Sequence, residues 1–384
     1  MSAAQDERRR DLMRLGGAGA AGAVATALPM QAHAAVEGGT FFDVRRFGAI
    51  GDGSGNDRAA IEAAIEAASP PTGSEFERNQ RGGIVFLPAG TYRVDRLRVR
   101  RNVTLLGEGM GTIIRQIDSA NTALIAPASE LDYPIGVRDL RIQGARSPAG
   151  GGADARGIVL NTQPSYGGFT VPDGQHVVDR VWIERTVAEG IYVARQCRGT
   201  LISDCWVRRS ERAAGIRVEG SDTTLTNTIS RSHAGAGYVI QAGNARLVNC
   251  KAFFCRGGGF VLSGTRANLS TCEAQDNWID GFRIGASDIL MNGCFADSNQ
   301  NAGFHIDPPR GYIGGLCISG FMALGRPEQQ SGKPWVGQDI GVLLGDGRLS
   351  DSLLSGVARR NNLAQLRLDG TVGDSTRLDS VVQG

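Results

Sequence analysis

Two stretches, DNWIDGFRIG (276–285) and NAGFHIDPP (301–309), hold four chemically capable side chains: Asp280, Arg283, His305 and Asp307. The set suits a sugar acid. β-Elimination beside a carboxylate needs a cation to neutralise it, a base for the neighbouring proton and an acid for the leaving oxygen. Arg283 supplies the cation and His305 the base, with Asp307 expected to orient His305. A hydrolase would instead set two carboxylates across the scissile bond, and Asp280 with Asp307 are the available pair. Gly285, beside Asp307, leaves a ligand room near the backbone. Tyr192 and Trp278 offer rings for sugars to stack on, and Arg217 and Glu219 offer polar contacts nearby. Each residue alone also has a plain reading as a solvated surface group or a turn plug. The clustering carries the argument.

These residues share a surface only if the chain repeats. A glycine followed by alternating apolar residues recurs as GIVL at Gly157, GIYV at Gly190 and GIRV at Gly215. It returns as GYVI, GFVL, GFRI and GFHI at Gly237, Gly259, Gly281 and Gly303, 22 residues apart from Gly215 onward, with GVLL at Gly341 continuing the theme. A second strand keeps step and places Cys205, Thr228, Cys250, Cys272, Cys294 and Cys317 in one column. Short β-branched runs with this period and Gly/Asn turns indicate a parallel β-helix whose rungs stack at about 4.8 Å. The Leu-x-x-Leu-x-Leu frame of leucine-rich repeats is missing.

In each coil the residue two after the glycine points outward. That column reads Val159, Tyr192, Arg217, Val239, Val261, Arg283, His305, Leu343 and Arg367; two residues on it reads Glu219, Gln241, Ser263, Gly285 and Asp307. The cysteine column is expected to be buried packing, because a straight file of thiols lacks the tetrahedral convergence of a zinc site. Asn277 and Asn299 share a turn column and read as a structural asparagine ladder. Regular coils are expected over about 190–320, followed by an irregular insertion over about 322–338. Long insertions on regular scaffolds concentrate function. This one is expected to overhang the Arg283–His305 face, which makes Trp335 a contact candidate.

Residues 1–34 read as a leader, with Arg9-Arg10-Asp11-Leu12-Met13-Arg14, an Ala/Gly-rich apolar stretch and a small-x-small ending at Ala32-His33-Ala34. The arginine pair resembles a twin-arginine export signal, implying a mature domain over 35–384 delivered folded to the periplasm or beyond. Folding in a reducing cytoplasm argues against a disulfide framework for the seven cysteines. The net charge of +2 gives no field that would favour nucleic acid, and no segment of the mature part is apolar enough to span a membrane.

The stretch FDVRRFGAIGDGSGNDRAAIEAAIEAA, followed by GGIVFLPAGTYRV and NVTLLGEGMGTIIR, resembles the N-terminal signature of the pectate-lyase-like superfamily over about residues 41–115. The resemblance implies an all-β fold: a single-stranded right-handed parallel β-helix, with a short capping helix at about 57–68 covering the first coil. Asn56 or Asp57 is positioned to cap that helix. The superfamily holds lyases, hydrolases, epimerases, transferases and non-catalytic adhesins, and its members often trimerise, so a homotrimer is a further expectation. The polygalacturonase-type motifs are absent, and Asp307-Pro308-Pro309 does not match the epimerase-type Asp-Pro-His. No family's catalytic residues therefore transfer. The sequence expectation is an exported enzyme acting on a uronate-containing polysaccharide, foremost a lyase and otherwise a glycoside hydrolase or transferase. The alternative is a non-catalytic glycan-binding or structural envelope protein. No metal ligand set is readable, and calcium is the one cofactor left open.

Overall fold

The computed structural model describes residues 41–69, 72–74, 77, 80–145, 154–162, 175–328 and 332–379; the expected leader lies outside them. The chain winds into a right-handed parallel β-helix with three strands in each regular coil. One face is an 11-stranded parallel sheet running from Leu97–Val99 to Ala364–Leu368. The other two faces belong to a 21-stranded sheet, bent between successive strands such as Leu290–Asn292 and Phe295–Asp297. Single residues in left-handed conformation make the bends: Asn249, Thr271 and Gly293 at one corner, and Phe254, Asp276 and Ser298 at the next.

Inward positions stack on themselves. Tyr238, Phe260, Phe282 and Phe304 form a column with ring centroids 4.6, 4.8 and 4.9 Å apart, the spacing of the strands that carry them. Cys205, Thr228, Cys250, Cys272 and Cys294 are buried in another column, with all cysteines free thiols. A third column is polar. The Asn277 side chain donates to Asn299 Oδ1 at 2.8 Å, Asn299 Nδ2 donates to Gln338 Oε1 at 3.2 Å, and Gln338 Nε2 donates to Asn361 Oδ1 at 2.8 Å. Each buried amide thus satisfies its neighbour, as interior polar groups must be satisfied.

Helix α1, Arg58–Ala68, buries Ile61, Ala64, Ile65 and Ala68 against the first strands, including Phe41–Asp43 and Gly83–Leu87. Asn56 caps it, accepting from the Arg58 N–H at 3.0 Å. Asp57 does another job: buried, it takes the N–H groups of Ile50 and Gly51 at 2.7 and 3.4 Å and ties the glycine-rich turn to the helix. Gly51 has φ +70°, and a Cβ there would lie 2.9 Å from the Tyr92 ring, so the turn needs glycine.

The cysteine column corrects one expectation. Cys317 pairs with Leu290 and is half-buried on another face, while Phe321 follows Cys294 in the column and packs on Phe304. The cause is a detour that the 22-residue rhythm concealed. Pro308-Pro309-Arg310-Gly311 leads the chain out into Tyr312–Gly314, which pairs with Arg348–Ser350 in a separate three-stranded flange. The irregular segment also begins later than 322, since the strand Cys317–Leu324 runs through the first residues assigned to it.

Candidate active site

The outward column of the 11-stranded sheet has the register that the repeat predicts. Val159, Tyr192, Arg217, Val239, Val261, Arg283, His305, Leu343 and Arg367 lie opposite one another on successive rungs. Strand alternation therefore sets Arg283 and His305 side by side.

The carboxylate beside His305 is not the one expected. Asp280, not Asp307, orients His305: its Oδ2 lies 2.8 Å from His305 Nδ1. Asp280 precedes the strand glycine, where the turn tilts its carboxylate under the next rung. There Oδ1 also accepts from Asn301 Nδ2 at 2.7 Å and from the Ala302 N–H at 3.3 Å. Only 4% of its side chain is exposed, against 17% for His305. Asp280 is therefore engaged with the imidazole and the next rung. A neutral imidazole that donates Nδ1–H to this carboxylate has Nε2 as its proton-free nitrogen. Nε2 has no hydrogen-bond partner among the described residues, and it lies over Gly345, where an added Cβ would sit 3.3 Å from it. Asp307 instead receives the Arg283 guanidinium, with Nε and Nη2 at 2.9 and 2.6 Å from Oδ2. Gly285 and Gly345 flank Asp307; an added Cβ would make only ordinary contacts at Gly285 but would meet His305 Nε2 at Gly345.

A second polar cluster lies three rungs upstream, about 14 Å at sheet spacing. Arg217 donates to Glu189 Oε1 and Gln241 Oε1, both at 3.0 Å, and Arg156 donates to Glu189 Oε2 at 2.8 Å. Tyr192 donates its phenol to Glu219 Oε2 at 3.2 Å and has the Arg156 guanidinium 4.9 Å over its ring. Burial, and then the Glu219 carboxylate, push the Tyr192 phenol up, so it stays a donor. One ring face is thereby taken, which leaves Tyr192 less of a sugar platform than expected. Val239 and Val261 form an apolar strip between the two clusters. Glu189, Arg156, Asn301 and Gly345 escaped the sequence reading. The first had a signal, because Glu189 precedes Gly190 as Asp280 precedes Gly281.

Trp278 and Trp335 meet edge to face, with ring centroids 4.9 Å apart. Trp335 Nε1 donates to the Ser298 carbonyl at 3.1 Å, Lys333 reaches Asp276 at 2.8 Å, and Arg326 binds Asp276 and Asp297. The insertion is thus strapped along the turns that precede the sheet, and its anchoring contacts are with Asp276, Trp278, Asp297 and Ser298. Among the described residues no three His, Cys, Asp or Glu side chains stand together as a metal site, and no helix is long and apolar enough to cross a membrane.

The fold and register are those of a right-handed parallel β-helix. Residues 41–133 match the family described as rhamnogalacturonase A/epimerase, pectate lyase-like, and residues 189–310 match the right-handed β-helix region. Among curated proteins of Azotobacter vinelandii, the chain is 38% identical over 126 residues to mannuronan C5-epimerase AlgE4, and 36% identical over 126 residues to alginate lyase 7. Each match takes in 29% of this chain, but only 21% of the epimerase and 14% of the lyase, so the chain matches less than a quarter of either relative's length. Among solved structures, the A-module of the Azotobacter vinelandii epimerase AlgE6 aligns with a TM-score of 0.64 at 19% identity, over 89% of this chain and 99% of the module. Tailspike protein 2 of an Escherichia coli O157:H7 bacteriophage aligns with a TM-score of 0.66 at 16% identity, over 85% of this chain and 46% of the tailspike. At these identities the structural likeness shows the fold.

Proposed function

We propose that the chain acts on a uronate-containing polysaccharide by moving the proton beside a sugar carboxylate to His305 Nε2, with elimination as the outcome. A double bond forms as the C–O bond to the neighbouring sugar breaks, and the protonated imidazole returns its proton to the leaving oxygen. The Asp280–His305 pair carries this reading: a buried carboxylate fixes Nδ1 as the donor and leaves Nε2 as an outward base, one rung from a guanidinium. Arg283 neutralises the substrate carboxylate as negative charge develops on it. To do so it shares or exchanges Asp307, which is cheap for a half-exposed ion pair. The apolar strip of Val239 and Val261 and the Arg217 cluster give a polysaccharide further rungs to lie across. Export through the twin-arginine leader belongs to the same proposal.

A second outcome, C5 epimerisation, is favoured by the names of the relatives and begins with the same proton. Incubation of the protein with uronate polysaccharides in deuterated buffer separates the two. Elimination gives unsaturated, ultraviolet-absorbing ends, whereas epimerisation gives deuterium at C5 without absorbance. In either case His305→Gln is expected to lower turnover by roughly 10²–10⁴-fold. A folded His305→Gln protein with undiminished turnover would remove the base assignment. Binding without turnover by the unmodified chain, across uronate and neutral glycans, would favour a non-catalytic glycan-binding protein.

A further inference from the structure

Around the corner from the His305 face, the turns leaving the 21-stranded sheet enclose an open groove of about 550 Å3. Successive rungs build it. One column contributes Arg209, Ser232 and Phe254, each in left-handed conformation at a corner. The next contributes Glu211, Ala234, Arg256 and Trp278, whose N–H groups bond to carbonyls one rung back, at Thr186, Ser210, His233 and Cys255. Ala234 and Ser232 are small between larger neighbours, and that difference in volume is the hollow. Gly332 of the strapped insertion lines it too.

The groove is rich in arginine and poor in acid. Three arginines outside its lining are neutralised: Arg208 by Glu184, Arg217 by Glu189, and Arg326 by Asp276 and Asp297. Arg209, Arg231 and Arg256 line the groove with no carboxylate partner among the described residues, and Glu211 is the one acid in the lining. Arg231 lies 4.8 Å over the Phe253 ring, and Arg256 lies 6.0 Å over the Trp278 ring. Burial, then the charges of Arg208 and Arg209, push the Arg231 guanidinium down. Unneutralised cations held beside aromatic rings are complementary to a chain that alternates carboxylates with the apolar faces of sugar rings.

We propose that this groove is a second, non-catalytic binding site for acidic polysaccharide, with Arg231 and Arg256 holding sugar carboxylates and Phe254 packing on a ring face. The ligand class rests on the uronate reading above, but the site needs none of its chemistry. It would keep a long polymer attached on the rungs before the catalytic pair while the product end is released.

The test measures calorimetric affinity for an oligouronate, and for the same oligosaccharide after carboxyl reduction, on the full chain carrying His305→Gln so that turnover does not intervene. Arg231→Gln with Arg256→Gln is expected to weaken oligouronate binding roughly tenfold or more and to flatten its salt dependence. Ala234→Glu guards against misfolding, because Glu211 already occupies the same column one rung away; it fills the hollow with negative charge and should weaken binding likewise. Unchanged affinity in both folded variants would overturn the proposal. So would equal affinity for the carboxyl-reduced sugar, or a preference for a nucleic acid of equal charge. If the unmodified chain proves inactive while these variants still lose binding, the catalytic reading falls and the groove stands.

Discussion

His305 can act as a base because of where Asp280 sits, and that dependence is measurable. Asp280→Asn keeps the size of the side chain and its bond to Asn301, but it no longer demands a proton on His305 Nδ1, so the imidazole loses its fixed tautomer. The expected result is a large fall in kcat with little change in KM, and a protein that melts close to the parent. Arg283→Gln should act differently. It removes the charge that meets the substrate carboxylate before and during reaction, so KM rises as kcat falls. Steady-state kinetics on a uronate substrate separates the two patterns. If both variants changed only KM, these residues would be binding groups and the chemistry would lie elsewhere.

At the scale of elements, the strap is held by a charge with little access to water. Lys333 and Asp276 have fully buried side chains 2.8 Å apart, and Arg326 shares the same carboxylate. Lys333→Ala leaves Asp276 with one partner fewer in a dry site while Arg326 still neutralises it, a loss of about 1–3 kcal/mol. Because the strap carries Trp335 against Trp278, its release is expected to appear as a change in tryptophan fluorescence at denaturant concentrations below those that unfold the coils. Much of this level was legible in the sequence. A 22-residue period with two-residue alternation fixes register, so Arg283 and His305 had to be neighbours and Asn277 and Asn299 had to stack. The partner of His305 was not legible, because Asp280 lies at the junction of turn and strand, where alternation gives no direction. Nor was the flange that follows Asp307: its chain leaves the coil and returns, so Cys317 slipped into a column that Phe321 occupies.

At the scale of the molecule, acid stability turns on two histidines kept neutral in the interior. Burial pushes His176 down to about 4 and His233 down to about 3. Both values lie below the unfolded value of 6.5, so the unfolded chain binds more protons between these limits. Stability is therefore full above about pH 6.5 and is lost as pH falls toward the folded values, by on the order of 3 kcal/mol for His176 alone. His233 occupies the ladder column, where it accepts the Ser210 N–H at 3.0 Å. Asparagine performs the same task two rungs on, where Asn277 Oδ1 accepts the Cys255 N–H at 3.0 Å. His233→Asn is therefore expected to fold and to show a shallower decline in melting temperature between pH 6.5 and 4. A decline as steep as the parent's would place the acid sensitivity in other groups.

The four residues of the candidate site fall between Asp280 and Asp307, in one unbroken run of sequence. In a solenoid each coil touches only its neighbours, so this run carries both the chemistry and most of what positions it. A site drawn from distant parts of a chain is dismantled by recombination; this one is inherited whole. Duplicating or deleting coils upstream would change the length of the surface offered to a polymer without moving His305 relative to Arg283. Such a scaffold can vary how much substrate it grips and what it does to that substrate as separate hereditary traits.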